Sequence, residues 1–236
     1  MKLKRRYDSE NAKRRILSSS VRLFILKGYR ETTLADVIAE ADVSSSSFHN
    51  IFGSKDGILS ELVEFMFENQ FDTAKLMLGN FSSPAMLYAV ETAIQIVITE
   101  RNENLREIYL EAYTHPDIAE LIYRKTAVAI AKIFQTYMPE CSESDFYEME
   151  IGTSGIMTSY MARKCDIYFT LERKLERFLR MALSAYQVPK QEQDIIVSRI
   201  CNMDICQLAD NVMQRLFSAL EMKFDFSLNP PEKIPC

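Results

Sequence analysis

Apolar residues recur along this chain at spacings of three and four, the period of helices with one buried face. The first such face carries Ile16, Leu17, Val21 and Phe24, in a predicted helix from Asp8 to Lys27. Gly28 follows as a left-handed C-cap, with Tyr29 folding back on the last turn. A tighter pattern succeeds it. Thr33 reads as an N-cap, Asp36 three residues on completes a capping box, and Leu34, Val37 and Ile38 share one face. Ala41, Asp42 and Val43 interrupt that face, and Ser44 caps a second short helix. Its inward residues are Ser47, Phe48 and Ile51; Ser45, Ser46, His49 and Asn50 point out. Two short helices joined by such a turn form a helix-turn-helix, and the second is sized for a DNA major groove.

Ser54 is the expected N-cap of a longer helix from Lys55 to Leu78, with Ile58, Leu59, Leu62, Phe65 and Met66 inward. That is too long to serve the small unit alone, so it is expected to link two domains. Pro84 opens the next helix as its first residue, and further helical segments follow over 102–113 and 117–138. Ser142 and Asp145 make a capping box for a helix to Lys164, and Thr170 caps another that runs to Gln187. A last helical stretch, 191–224, is expected to bend near Asn202 to Asp204. With only 6 Gly and 7 Pro, the chain reads as all-α. The expected organisation is a three-helix DNA-binding domain over 1–54, an all-helical regulatory and dimerisation domain over 55–226, and a frayed Pro-rich tail over 227–236. The first seven residues carry four positive charges and are expected to form a mobile arm.

The run from Arg15 to Leu59 resembles the DNA-binding domain of the tetracycline-repressor (TetR) family of bacterial regulators. The resemblance rests on Arg15-Ile16-Leu17, Phe24, Gly28-Tyr29, Thr32-Thr33, Ile38-Ala39, Ala41, Val43-Ser44, Phe52 and Ser54-Lys55. Three positions depart from the family pattern: Asp42 stands where Gly is usual, Ser46 where a small residue, often Gly, is expected, and His49 where a phosphate-contacting tyrosine is usual. Asp tolerates a left-handed backbone, so the turn should survive. The resemblance implies a homodimer in which late helices, here 142–164 and 170–187, pack as a four-helix bundle. It also implies a double-stranded, palindromic operator read by two recognition helices about 34–36 Å apart, and release by a small-molecule effector. A repressor is the expected sign of regulation.

Charge supports that division. The net charge of −5 hides eleven Lys and Arg against seven Asp and Glu in residues 1–60, a head of +4 on a body of −9. DNA contacts are therefore expected from Thr33, Ser44, Ser45, Ser46, Ser47, His49, Asn50 and Lys55. Thr33 and Lys55 lie at helix N-termini suited to phosphate. Among the five cysteines there is no CxxC pair, and the odd count fits reduced thiols; no metal site, cofactor or catalytic constellation emerges. No apolar run approaches the ~18 residues that spanning a bilayer needs, and the basic start is followed by no apolar leader core, so a cytoplasmic location is expected. Acidic pairs such as Glu148 and Glu150 read as a solvated helix face.

Within the body, Tyr88, Tyr109, Tyr113, His115, Tyr123, Met157 and Tyr160, with Met86 nearby, interrupt apolar faces and are the candidate small-molecule site. Tyrosines at helical spacing are more often half-buried core. Gly152 and Gly155 within one predicted helix suggest close approach of another backbone. Two other readings stay open: a helical regulator controlled by a protein partner, and a helical carrier or enzyme that binds no DNA.

Overall fold

The computed structural model describes residues 2–78 and 83–225 together with Ser227, with side chains at 9–66 and from Ser83 onward. Every regular element among these residues is a helix: α1 (Lys2–Lys27), α2 (Leu34–Ala41), α3 (Ser45–Ile51), α4 (Lys55–Leu78), α5 (Pro84–Arg101), α6 (Glu103–Thr114), α7 (Pro116–Phe134), α8 (Glu143–Ala162), α9 (Leu171–Ala185), α10 (Lys190–Cys201) and α11 (Ile205–Phe224). The all-α expectation holds. The mobile arm does not, because α1 continues back to Lys2. Nothing in the stretch KLKRRYDSE interrupts a helix: it holds no Gly or Pro and is rich in straight-chain residues that lose little freedom there. The frayed tail lies outside the described residues apart from Ser227.

α1, α2 and α3 wrap a small core of Ile16, Val21, Phe24, Val37 and Phe48, all fully buried. Ile58, Leu59 and Leu62 of α4 are buried in the same continuous apolar cluster, which runs unbroken into the body. α4 is thus a wall of both parts. In the body, α5 is the axis and packs against α4 and every helix from α6 to α11. Its sequence is apolar almost all round, the signature of a helix enclosed on every side.

The expected bend at 202–204 is a full break, since Asn202 ends α10 and the Asp204 side chain accepts the Gln207 N–H to start α11. α11 buries Ala209, Met213, Phe217 and Leu220 against the body and packs on α5, α4 and α1. Its last turn sets Phe224 edge-on to Phe65 at 5.6 Å, and Asp225 meets Arg14 at 2.7 Å. Lys174, fully buried, pairs with Glu100 at 2.6 Å and also donates to the Arg163 carbonyl, pinning the α8–α9 loop to the end of α5. Cys141, Cys165 and Cys201 are free thiols, whereas Cys206 is disulfide-bonded, against the expectation that all are reduced.

Candidate DNA interface and interior cavity

The local chemistry of the small domain folds as its residues dictate. Thr33 Oγ1 accepts the Asp36 N–H at 3.1 Å, and Asp36 accepts the Thr33 N–H at 2.9 Å. Lys27 donates to the same Asp36 carboxylate, which that bond and the Thr33 N–H hold at about 2. Asp42 ends α2 in a left-handed conformation (φ 49°), the role expected of it. Gly28 does the same after α1 at φ 98°, with Tyr29 edge-on to Phe24 at 4.9 Å. Ser44 Oγ accepts the Ser47 N–H at 3.1 Å and lies 2.9 Å from the Ser47 hydroxyl, so these two serines partly satisfy each other.

What α3 presents outward is small and polar. Ser45, Ser46, His49 and Asn50 are exposed, while Phe48 is fully buried beneath them. His49 Nδ1 lies 3.1 Å from the Gly53 carbonyl. A neutral ring that donates there keeps only a lone pair on Nε2; it can donate to a phosphate only when protonated.

Lys55 is placed differently from a free phosphate anchor. Its ammonium donates to the carbonyls of Tyr29 at 2.7 Å and Thr32 at 3.0 Å, and lies 4.1 Å from the centre of the Tyr29 ring. Burial pulls its pKa below the usual lysine value, against the pull of Asp56, Glu107 and Glu111. Two of its three donors therefore tie the start of α4 to the α1–α2 loop.

That loop also meets the body. Arg30 pairs with Glu111 at 2.6 Å and stands 3.5 Å from Glu107. Asn104 Nδ2 donates to the Ile25 carbonyl at 2.8 Å, and a Cβ on Gly28 would lie 2.7 Å from Glu107 Oε2. Asn104, Glu107 and Glu111 recur at helical spacing, so one face of α6 carries the contact with Gly28 and Arg30. His115 belongs here rather than in the cavity. Its Nε2 is 3.6 Å from Asp56 and 3.8 Å from Glu111, because α6 ends at that level.

The other side of α6 lines a cavity of about 60 Å³ enclosed by α4 to α8. Ile108, Tyr109, Ala112 and Tyr113 come from α6, Val63 and Met66 from α4, and Tyr88, Glu91, Thr92 and Gln95 from α5. Ile122, Thr126 and Ile130 of α7 and Glu150, Thr153, Ser154 and Met157 of α8 close it. Of the sequence candidates, Tyr88, Tyr109, Tyr113 and Met157 come together on this cavity. Tyr123 stands outside its lining, between the rings of Tyr113 at 6.2 Å and Tyr147 at 6.5 Å. Tyr160 turns away toward Phe169 and Phe178, because Met157 and Met161 occupy the inward face of α8.

Sequence reasoning missed the acids. Glu150 is no part of a solvated face: it is 5% exposed, and its carboxyl accepts from Thr153 and Tyr186 at 3.2 and 3.4 Å. Burial pushes it up to about 8, against those two hydrogen bonds. Glu91, 4% exposed and with neither oxygen hydrogen-bonded, is likewise pushed up to about 8 by burial. The signals were there: Glu91 interrupts an otherwise apolar run, and Glu150 shares a helical stripe with Phe146, Thr153 and Met157. Among the described residues no cluster of His, Cys, Asp and Glu could hold a metal ion, and no helix is long and apolar enough to cross a membrane.

Residues 16–62 match the family described as bacterial regulatory proteins, tetR family. Over 195 residues, 80% of this chain and 61% of the relative, the chain is 23% identical to the uncharacterized HTH-type transcriptional regulator YuxN of Bacillus subtilis (strain 168). It is 24% identical to the probable HTH-type transcriptional regulator YttP of the same organism over 131 residues, 54% of this chain and 58% of that one. The chain thus spans about three-fifths of the length of these curated relatives. Among solved structures, a gamma-butyrolactone receptor (ArpA-like protein) aligns with 89% of this chain and 99% of its own at 14% identity and a TM-score of 0.46. The TetR family protein CprB from S. coelicolor A3(2) aligns with 82% of this chain and 98% of its own at 16% identity and a TM-score of 0.47.

Proposed function

From a chain whose N-terminal domain belongs to the tetR family of bacterial regulatory proteins, we propose a homodimeric transcriptional regulator that a small molecule in the interior cavity releases from a palindromic operator. One observation carries the reading. α6 presents Ile108, Tyr109, Ala112 and Tyr113 to the cavity and Asn104, Glu107 and Glu111 to the residues beside the helix-turn-helix. A ligand that displaces one face of α6 moves the other, and α4, whose Val63 and Met66 also touch the cavity, begins at Lys55 beside the same loop. The spacing of two α3 helices in a dimer then depends on what the cavity holds, and the form with the wrong spacing leaves the DNA.

The contacts to DNA divide by chemistry. Ser45, Ser46, His49 and Asn50 are the exposed groups of α3 and face base edges or phosphate; the Thr33 hydroxyl, which already accepts from Asp36, keeps its own proton for a phosphate oxygen. Lys55 acts as a positioning residue for the loop.

The test is selection from a random duplex library at low salt, followed by sequencing of the retained fragments. The expected product is an inverted repeat whose half-sites lie about 10–10.5 base pairs apart, or a multiple of that. Retention without a shared sequence would leave only non-specific binding, and no retention would sink the reading.

A further inference from the structure

Glu91 lies midway along α5, the most enclosed helix of the fold, and faces the cavity with no hydrogen-bond partner for either carboxyl oxygen. α8 brings a second buried acid, Glu150, to the same cavity. Tyr88, Tyr109 and Tyr113 supply aromatic surface between them. Among the described residues no Lys, Arg or His lines it. A buried carboxylate without a cation is costly, and folds normally provide one or a full set of donors. Among the described residues Glu91 has neither.

We propose that the cavity takes a small organic cation, an amine or quaternary ammonium with an apolar body, its charge set between Glu91, Glu150 and the tyrosine rings. This rests on the preceding reading of the cavity as the effector site and names the ligand class; at about 60 Å³ the cavity is smaller than such a cation, so binding must push α6 aside, the displacement that reading requires. Aromatic faces attract such a cation through their negative quadrupoles, most strongly where water is excluded. Ile122, Ile130 and Met157 offer the apolar part a wall, and methionine lets that wall adapt. An anion would meet two acids here, and a metal ion would lack a ligand cluster among the described residues.

Proton exchange accompanies binding. The groups facing Glu91 are Tyr88 on its own helix and Tyr109 of α6; Tyr88, Thr153 of α8, Tyr113 of α6 and Tyr186 of α9 face Glu150. None of these is a cation, and at Glu150 burial outweighs the hydrogen bonds from Thr153 and Tyr186, so both carboxyls stay protonated up to about 8. The arriving cation replaces a proton, and affinity for a permanently charged ligand should rise with pH.

The experiment is titration calorimetry of the full-length protein with phenyltrimethylammonium and with its uncharged isostere tert-butylbenzene, from about pH 6 to about pH 9. The cation should bind at least about tenfold more tightly than tert-butylbenzene, more so as pH rises. Glu91→Gln, close in shape to the protonated acid, should lose about tenfold in cation affinity and flatten the pH dependence. Glu150→Gln serves as the second variant. Equal affinity for the two compounds, no binding of the cation, or unchanged cation binding by both folded variants would overturn the proposal. Operator retention is measured separately, so cation binding can fail while DNA recognition stands, and the reverse.

Discussion

Replacing Glu91 by glutamine removes the option of charge from a carboxyl that the fold buries without a partner. Burial raises Glu91 from its ordinary 4.5 to about 8. Between those values the folded protein holds a proton that the unfolded chain has released, so stability falls as pH rises through the window and is flat above it. The slope is about 1.4 kcal/mol per pH unit for one group. From about pH 5.5 to about pH 7.5 the wild type therefore loses about 3 kcal/mol through Glu91, with a similar loss through Glu150. Glu91→Gln abolishes its own share and keeps the other. In a chain of this size about 3 kcal/mol corresponds to about 6–12 °C in Tm. Thermal unfolding of both proteins, at one protein concentration and several pH values, reads the difference directly. The variant should gain on the wild type steadily between the two pH values. A Tm difference that is the same at both, or that shrinks toward high pH, would refute the claim that Glu91 is buried as the neutral acid.

Three other outcomes follow from the geometry. Lys55→Met loses two hydrogen bonds to carbonyls and the contact with the Tyr29 ring, so it should destabilise the protein by about 1–3 kcal/mol and weaken all DNA sequences alike; unchanged denaturant unfolding would return Lys55 to the role of a free phosphate anchor. His49→Tyr should strengthen operator affinity at fixed pH and salt, because a phenol always carries a proton to donate whereas the neutral ring that donates to Gly53 offers only a lone pair; equal affinity of the two proteins would remove this side chain as a phosphate contact. Gly155→Leu should split the dimer and leave the protomer folded, since a Cβ there meets nothing within 4 Å in the protomer; sedimentation of an intact dimer would take Gly155 out of the interface.

Local structure was legible in the sequence wherever a side chain makes its own backbone contact. Thr33 with Asp36, Ser142 with Asp145, Gly28 and Asp42 act within a few residues of themselves, so cap, box and left-handed turn were readable before any tertiary contact was known. The exposed face of α3 was legible for the same reason, because Phe48 and its period leave only one side outward. Lys55 was not, since its partners are carbonyls 23 and 26 residues away. Nor was the cavity. Tyr160 and Met157 share a helix, yet only the packing of α8 against its neighbours decides that Met157 faces in and Tyr160 turns to α9. Glu150 shows the limit most clearly: its charge advertises a solvated face, while the apolar residues of its stripe carry it inside. Helical period says which residues share a face; which neighbour covers that face depends on contacts between residues far apart in the chain, and only the folded structure supplies them.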